Sequence, residues 1–235
     1  MGVARVLIAA AGAFVVFAGA TALVAAADPS PVPSPTTASV LPEIGSTRAT
    51  TPFCAMVRDN VAPAIVGLMT FDELLVASRG DYRRMAGESH AAQNFSRIRL
   101  GNSVIGMAHH LAIVRGFVDD EKRFPLAAVT DNDRLAMRLH AQLQAVADRQ
   151  DAALNTVNGV LETDLLHQMM GGIPHVPQFG ISRHFYHAVA DVLGAQQTKV
   201  AEAEAELAPT VIAVAAACGV ARPAPSPATA ATPQP

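Results

Sequence analysis

Residues 131–170, DNDRLAMRLHAQLQAVADRQDAALNTVNGVLETDLLHQMM, carry the pattern that decides the fold. Core-type residues recur at spacings of three and four along one face: Leu135, Leu139, Leu143, Val146, Gln150, Ala153, Val157, Leu161 and Leu165. This spacing is typical of a helix in a bundle. Asp131 and Asp133 favour the positive start of a helix, and Gly171 favours its end. We predict a helix from Asp131 or Asp133 to Met170.

A preceding helix is predicted to start at Thr51-Pro52, where a capping hydroxyl is followed by a proline. Pro63 predicts a kink in it. Thr70 and Glu73 have the spacing of a capping box, so the helix could break and restart there.

The chain then reverses between residues 79 and 89, at Gly80-Asp81 or at Gly87-Glu88-Ser89. The second helix is predicted to end near Asp119-Asp120. Its connection to the helix of residues 131–170 contains Pro125, which favours a loop.

The fourth helix is predicted to start with Ser182 as its cap and to run to Cys218-Gly219, with a bend at Pro209. Its core stripe is predicted from the same spacing: Phe185, Val189, Val192, Gln196, Ala203, Leu207, Val211 and Val214.

Four helices with short connections predict an all-α fold, an elongated up-down-up-down four-helix bundle over residues 52–220, with disordered Pro/Ala-rich ends. The start of the first helix then lies beside the end of the last, where the chain's two cysteines occur, Cys54 and Cys218. An isolated pair outside the cytoplasm usually oxidises. We therefore predict a Cys54–Cys218 disulfide. Neither cysteine lies in a CxxC motif or beside a histidine, which argues against a catalytic or ligating thiol.

The ends of the chain predict export. Residues 1–27 contain one Arg, an apolar run and a small-residue exit, as in a cleaved signal peptide, although an uncleaved membrane anchor is the alternative. Residues 28–51 are a Pro/Ser/Thr-rich linker that we do not expect to contribute to a core, and residues 221–235 are a similar tail. We expect a periplasmic or extracellular protein that contacts a membrane only if residues 6–27 stay uncleaved.

Composition argues against several function classes. The chain has 17 basic and 20 acidic residues and no basic stretch interleaved with aromatic residues, so no nucleic-acid role is expected. It also lacks a Gly-x-Ser-x-Gly nucleophile motif and a phosphate-binding glycine loop. We therefore expect a protein that is not an enzyme.

The second helix is unusual because it has two stripes of apolar and small residues. One consists of Leu100, Val104, Met107, Leu111, Val114 and Val118. The other consists of Ala91, Phe95, Ile98, Asn102, Ile105, His109, Ala112 and Gly116. A helix that is apolar on two sides is buried on two sides. Either both stripes contact neighbours within one bundle, or one contacts a protein partner or a second copy of the chain.

One candidate metal site lies on the fourth helix, where His184, His187 and Asp191 share the face opposite the core stripe. Two imidazoles and a carboxylate at these spacings can hold Zn or Cu loosely, and His175 could add a fourth ligand. The alternative is that these side chains simply face solvent.

A second candidate metal site combines His109, His110 and His140. An antiparallel hairpin centred on Pro125 would set His110 and His140 at similar height, and neighbouring Met107 and Met137 would suit copper. The alternative interpretation is that Asn102 and His109 form a buried polar pair that fixes helix register.

Asp164 shares the core stripe of residues 131–170, with His167 at its edge. A carboxylate-bridged di-metal bundle needs Glu-x-x-His twice, and this chain has none, so that family is not assigned.

Taken together, these patterns predict an exported, non-enzymatic helical bundle with a binding or interaction role in the cell envelope. The alternative is a periplasmic bundle that binds Cu or Zn through His and Met. No cofactor is required by the first of these.

Overall fold

The computed structural model describes residues 41, 42, 44, 51–171 and 183–219, and all structural statements below concern these residues. They form four long helices: α1 (Pro52–Met85), α2 (His90–Val118), α3 (Asp131–Gly171) and α4 (Arg183–Ala217). The predicted all-α four-helix fold is confirmed. The predictions made for residues 1–27, for most of residues 28–51 and for residues 221–235 lie outside the described residues.

The helices pack in the order of the chain, with α1 against α2, α2 against α3 and α3 against α4. The first helix also packs against the last, which is consistent with an up-down bundle. Within the described residues, α1 alone is long and apolar enough to cross a membrane. Its apolar side chains nevertheless form the bundle core, since Ile65, Leu68, Phe71 and Leu75 are buried.

The start of α1 follows the prediction. The Thr51 hydroxyl accepts a hydrogen bond from the Cys54 N–H at 3.2 Å and caps the helix. Residues Val57–Val61 form a π-helical turn, in which the Ala62 N–H bonds the Val57 carbonyl five residues earlier. This wider turn lies directly before Pro63, which has no N–H to give. The proline therefore sits in a continuous helix.

Two possible breaks in α1 do not occur. The Thr70 hydroxyl donates to the Val66 carbonyl within the helix at 2.9 Å instead of capping a new one. Gly80 and Asp81 also lie inside α1, so the reversal is not there. The buried Asp81 carboxylate accepts a hydrogen bond from Arg99 of α2 at 3.0 Å. Because Arg99 pairs with this carboxylate, Asp81 is accommodated inside the helix and does not cap a new one.

The reversal uses the second predicted position. The Ser89 hydroxyl accepts from the Ala92 N–H and caps α2. The side-chain amide of Gln93 donates to the Met85 carbonyl at 2.9 Å, which satisfies the last turn of α1. Two side chains at the start of α2 therefore bond the backbone of both helices that meet at this turn.

The start of α3 is fixed by a capping box. The Asp133 N–H donates to the Thr130 hydroxyl at 3.1 Å, and the Thr130 N–H donates to the Asp133 carboxylate at 2.7 Å. Asp131 is therefore the first helical residue, as predicted, and α3 ends at Gly171, one residue beyond the predicted Met170.

Helix α4 contains Pro209 in its interior and is followed by Gly219 with a φ of 71°. This left-handed conformation is the usual helix stop for glycine. Its predicted cap, Ser182, lies outside the described residues.

The Arg79 guanidinium of α1 crosses to α4, donates to the Ala190 carbonyl at 3.1 Å and lies over Gly194. A Cβ atom at Gly194 would lie 2.8 Å from that guanidinium, so glycine permits the contact.

Three predicted burial assignments are wrong. Val192 of α4 is 48% exposed, and Leu165 of α3 is 42% exposed. Leu193 is buried in place of Val192, and Asp164, which the sequence also placed on the core stripe, is buried while Leu165 is not. The reason is that a straight helix has 3.6 residues per turn and drifts from a stripe counted in threes and fours. In the linker, Leu41 is buried in the core, contrary to the expectation that residues 28–51 contribute none.

The predicted disulfide is confirmed. Cys54 and Cys218 are bonded, with their Cα atoms 5.4 Å apart across a sequence separation of 164 residues. Both side chains are buried. The bond joins the start of α1 to the end of α4 and closes the whole bundle into one ring.

We expect the double variant Cys54→Ala/Cys218→Ala to be less stable by about 2–4 kcal/mol, because the unfolded chain loses its largest loop constraint. Urea unfolding measures this difference. Reduced wild-type protein should match the variant, and reductant should leave the variant unchanged. An unfolding midpoint that does not move on reduction would contradict the expectation.

Candidate functional site: buried polar clusters and an exposed helix face

Arg97, Asp164 and Tyr186 form a cluster inside the bundle, which we call the arginine cluster. The Arg97 guanidinium donates to both carboxylate oxygens of Asp164, at 2.7 and 3.1 Å. It also donates to the Tyr186 hydroxyl at 2.9 Å. Asp164 is 0% exposed, Tyr186 1% and Arg97 8%. The cluster therefore joins α2, α3 and α4 through a charge pair almost entirely removed from water.

Burial and charge shift the pKa values around this cluster. Burial disfavours the charge of Arg97, but its hydrogen bond and attraction to Asp164 outweigh this and raise its pKa. Burial, followed by the Asp164 charge, raises the pKa of Tyr186 to about 12. The same two causes raise the pKa of Tyr82. The buried Tyr82 hydroxyl finds no hydrogen-bond partner among the described residues, and its ring lies 6.5 Å from that of Tyr186.

Asp72, Gln150 and Glu204 form a second cluster, which we call the carboxyl cluster. The carboxyl groups of Asp72 on α1 and Glu204 on α4 interact. The buried Gln150 amide of α3 donates to Asp72 at 3.3 Å and to the Leu68 carbonyl at 3.1 Å.

The carboxyl cluster titrates in an unusual range. Burial raises the pKa of Asp72 to about 6, and the negative charge of Glu73 adds to this, while hydrogen bonds from Glu204 and Gln150 oppose it. The group can therefore take up or release a proton between mildly acidic and neutral pH.

The histidines of the first candidate metal site lie on the surface. His184, His187 and Asp191 are all exposed, on the solvent side of α4 as the spacing predicts. His175 lies outside the described residues. Within the described residues, no group of three or more His, Cys, Asp or Glu side chains is placed so that it could hold one metal ion. Binding of Zn or Cu by these residues stays a prediction.

The second group does not converge at one height. His109 is exposed and its ring meets that of His110, with centroids 5.3 Å apart. His140 instead lies at the end of α2, where its Nε2 donates to the Val118 carbonyl at 2.7 Å and its ring stacks on Phe124. The prediction of a shared height for His110 and His140 is wrong.

The reason is the offset between α2 and α3. Arg115 of α2 donates to Asp148 of α3 at 2.6 Å, and Arg97 pairs with Asp164. These pairs show a register in which the first turns of α3 extend past the end of α2. His140 therefore caps α2 and helps to close the connection between the helices.

The two stripes of α2 differ in their exposure to solvent. The stripe beginning at Leu100 faces the core: it is buried except at Val104, which packs against the core. All eight residues of the other stripe are exposed: Ala91, Phe95, Ile98, Asn102, Ile105, His109, Ala112 and Gly116. The interpretation that both stripes are buried within one bundle is wrong, and so is the buried Asn102–His109 pair. We call this second stripe the outer seam.

Both clusters have a signal in the sequence. Arg97 lies three residues before Leu100 and Glu204 three residues before Leu207, so both are in register with buried stripes. A polar residue at a core position requires a buried partner. Such a residue therefore indicates a buried partner, although its position in the sequence does not identify that partner.

No family model, no curated protein and no solved structure matches this chain. The function therefore has to be argued from its own geometry.

We expect Arg97→Met to lose about 3–5 kcal/mol of unfolding free energy, because Asp164 is left buried without a counter-charge. The double variant Arg97→Met/Asp164→Leu should regain most of this loss. As a matched control, Arg115→Met removes a more exposed pair and should cost about 0–1 kcal/mol. Equal costs for Arg97→Met and Arg115→Met in urea unfolding would refute a stabilising role for the arginine cluster.

We expect Asp72→Asn to stabilise the protein at neutral pH by about 1–3 kcal/mol, because the variant removes a negative charge that its partly buried surroundings disfavour. The pKa of Asp72 is raised, from 3.8 to about 6, so the folded state holds a proton that the unfolded state has released. Wild-type stability from this group is therefore greatest in acid and falls as pH rises from about 4 to about 6.

Thermal unfolding across this pH range measures the effect. The exposed Asp151→Asn variant is the control and should follow the wild-type profile. If Asp72→Asn shows the same pH dependence as the wild type, the raised pKa belongs to another group.

Proposed function

We propose that this protein is an exported, non-enzymatic helical bundle that acts by binding another protein through the outer seam of α2. The observation that carries this proposal is the exposure of large apolar side chains in a row: Phe95 is 68% exposed, Ile98 62% and Ile105 69%. They follow one another at spacings of three and seven residues on the same helix face. Single exposed apolar residues are ordinary, whereas a continuous exposed stripe marks an interaction surface.

The polar clusters support a structural rather than a catalytic role for the interior. The arginine cluster is enclosed, and its charges are paired with each other. The carboxyl cluster joins α1, α3 and α4 across the core. Both connect helices that are distant in sequence, which is the role that buried polar groups have in fixing helix register.

Export is part of the same proposal. The apolar run that ends in small residues before Asp28 supports it. The disulfide between Cys54 and Cys218 also supports it, because such bonds persist in oxidising compartments outside the cytoplasm.

A photo-reactive amino acid placed at Ile98 or Ile105 of the full chain, in cells that export it, tests the proposal. Irradiation should give covalent adducts at these two positions. Arg138 on α3 and Glu202 on α4 are exposed polar positions away from the seam and serve as controls. Adducts at the controls as frequent as at the seam, or none anywhere, would reject the outer seam as a binding surface.

A further inference from the structure

We propose that the partner bound by the outer seam is a second copy of this chain, with the two α2 helices side by side, parallel and in register. This inference rests on the proposed function and names the partner. Four features of the seam support it: the period, the charge, the one central amide and the area.

The period of the outer seam is that of a coiled coil. From Ala91 to Gly116 its residues are separated by four and three positions in strict alternation. This is a seven-residue repeat, which brings one side of a helix continuously against a partner helix. The core-facing stripe of α2 has the same spacing, so α2 carries one seam for its own bundle and one for a helix outside it.

The charge of the seam fits a copy of itself. None of its eight residues is acidic or is a lysine or an arginine. The arginines that flank it are engaged within the protomer, Arg99 with Asp81 at 3.0 Å and Arg115 with Asp148 at 2.6 Å. A strongly charged partner would find no complement here, whereas an identical uncharged seam meets no repulsion.

Asn102 favours a second copy of α2 over a wholly apolar partner helix. It lies near the middle of the seam, between Ile98 and Ile105, and is exposed in the protomer. Against a wholly apolar helix its amide would lose its hydrogen bonds to water without replacement. In a parallel, in-register pair two Asn102 amides face each other, and each can donate to the other, as with the single asparagine that fixes register in coiled coils. An antiparallel pair with matched ends would set Asn102 opposite Ile105.

The area of the seam sets the strength of the dimer. From Ala91 to Gly116 the seam is about 38 Å long and about 10 Å wide, so it covers on the order of 400 Å² on each copy. Standard specific interfaces bury about 800 Å² per partner. We therefore expect a reversible dimer that forms in the micromolar range or above.

Sedimentation velocity of the oxidised full chain from about 5 to about 500 µM tests the association. The sedimentation coefficient should rise with concentration toward that of a dimer. Ile98→Glu and Ile105→Glu should stay monomeric throughout, with unchanged thermal unfolding because both side chains are exposed. Val66→Glu replaces an equally exposed apolar residue on α1 and should dimerise as the wild type does.

The parallel register is tested by Ala112→Cys, near one end of the seam. In the parallel dimer the two introduced thiols lie beside each other, so mild oxidation should give a covalent dimer. In an antiparallel dimer they would be about 25 Å apart. Ala145→Cys, on an exposed position of α3, is the control and should remain uncrosslinked.

The outcomes separate this inference from the proposed function. A monomer at every concentration, together with photo-adducts of Ile98 or Ile105 to a different protein, would overturn the second copy and keep the interaction role. A dimer unaffected by Ile98→Glu and Ile105→Glu would overturn the seam as its interface. A seam-dependent dimer without the Ala112→Cys crosslink would overturn the parallel arrangement.

Discussion

The bond between Cys54 and Cys218 connects the two parts of the bundle that are farthest apart in sequence and holds the start of α1 beside the end of α4. Without it, the contact between α1 and α4 has to overcome the entropy of a loop that contains nearly the whole domain. With it, the unfolded chain is already a ring. The helices between the cysteines then pack within a closed loop of chain.

Within that ring, buried and half-buried polar groups set the register of the helices. Arg97 and Asp164 align α2 with α3, Gln150 aligns α3 with the Leu68 carbonyl of α1, and Arg79 aligns α1 with Ala190 of α4. Apolar stripes alone would tolerate a slip of one helix past another, since neighbouring turns present similar side chains. A buried charge or amide does not tolerate it, because each would lose its only compensation in a medium without water.

The outer seam of α2 is the feature that the described part of the bundle leaves exposed. Its inward stripe is used by the bundle, and its outward stripe has the same period and several large apolar side chains. A binding surface on α2 has one advantage over a binding loop: its residues are held in fixed positions by a helix that is itself packed in the bundle.

The amino-acid sequence by itself determined the helices, most of their ends and the disulfide. Thr51, Ser89 and the spacing in residues 131–170 act through neighbours a few residues away, and two cysteines allow only one pairing within the chain. Only the tertiary structure decided which stripe of α2 is buried, which residues partner Arg97 and Glu204, and where His140 lies. The two stripes of α2 share one period, so local spacing cannot rank them. The offset of α2 against α3 comes from contacts between residues dozens of positions apart, which no local pattern encodes.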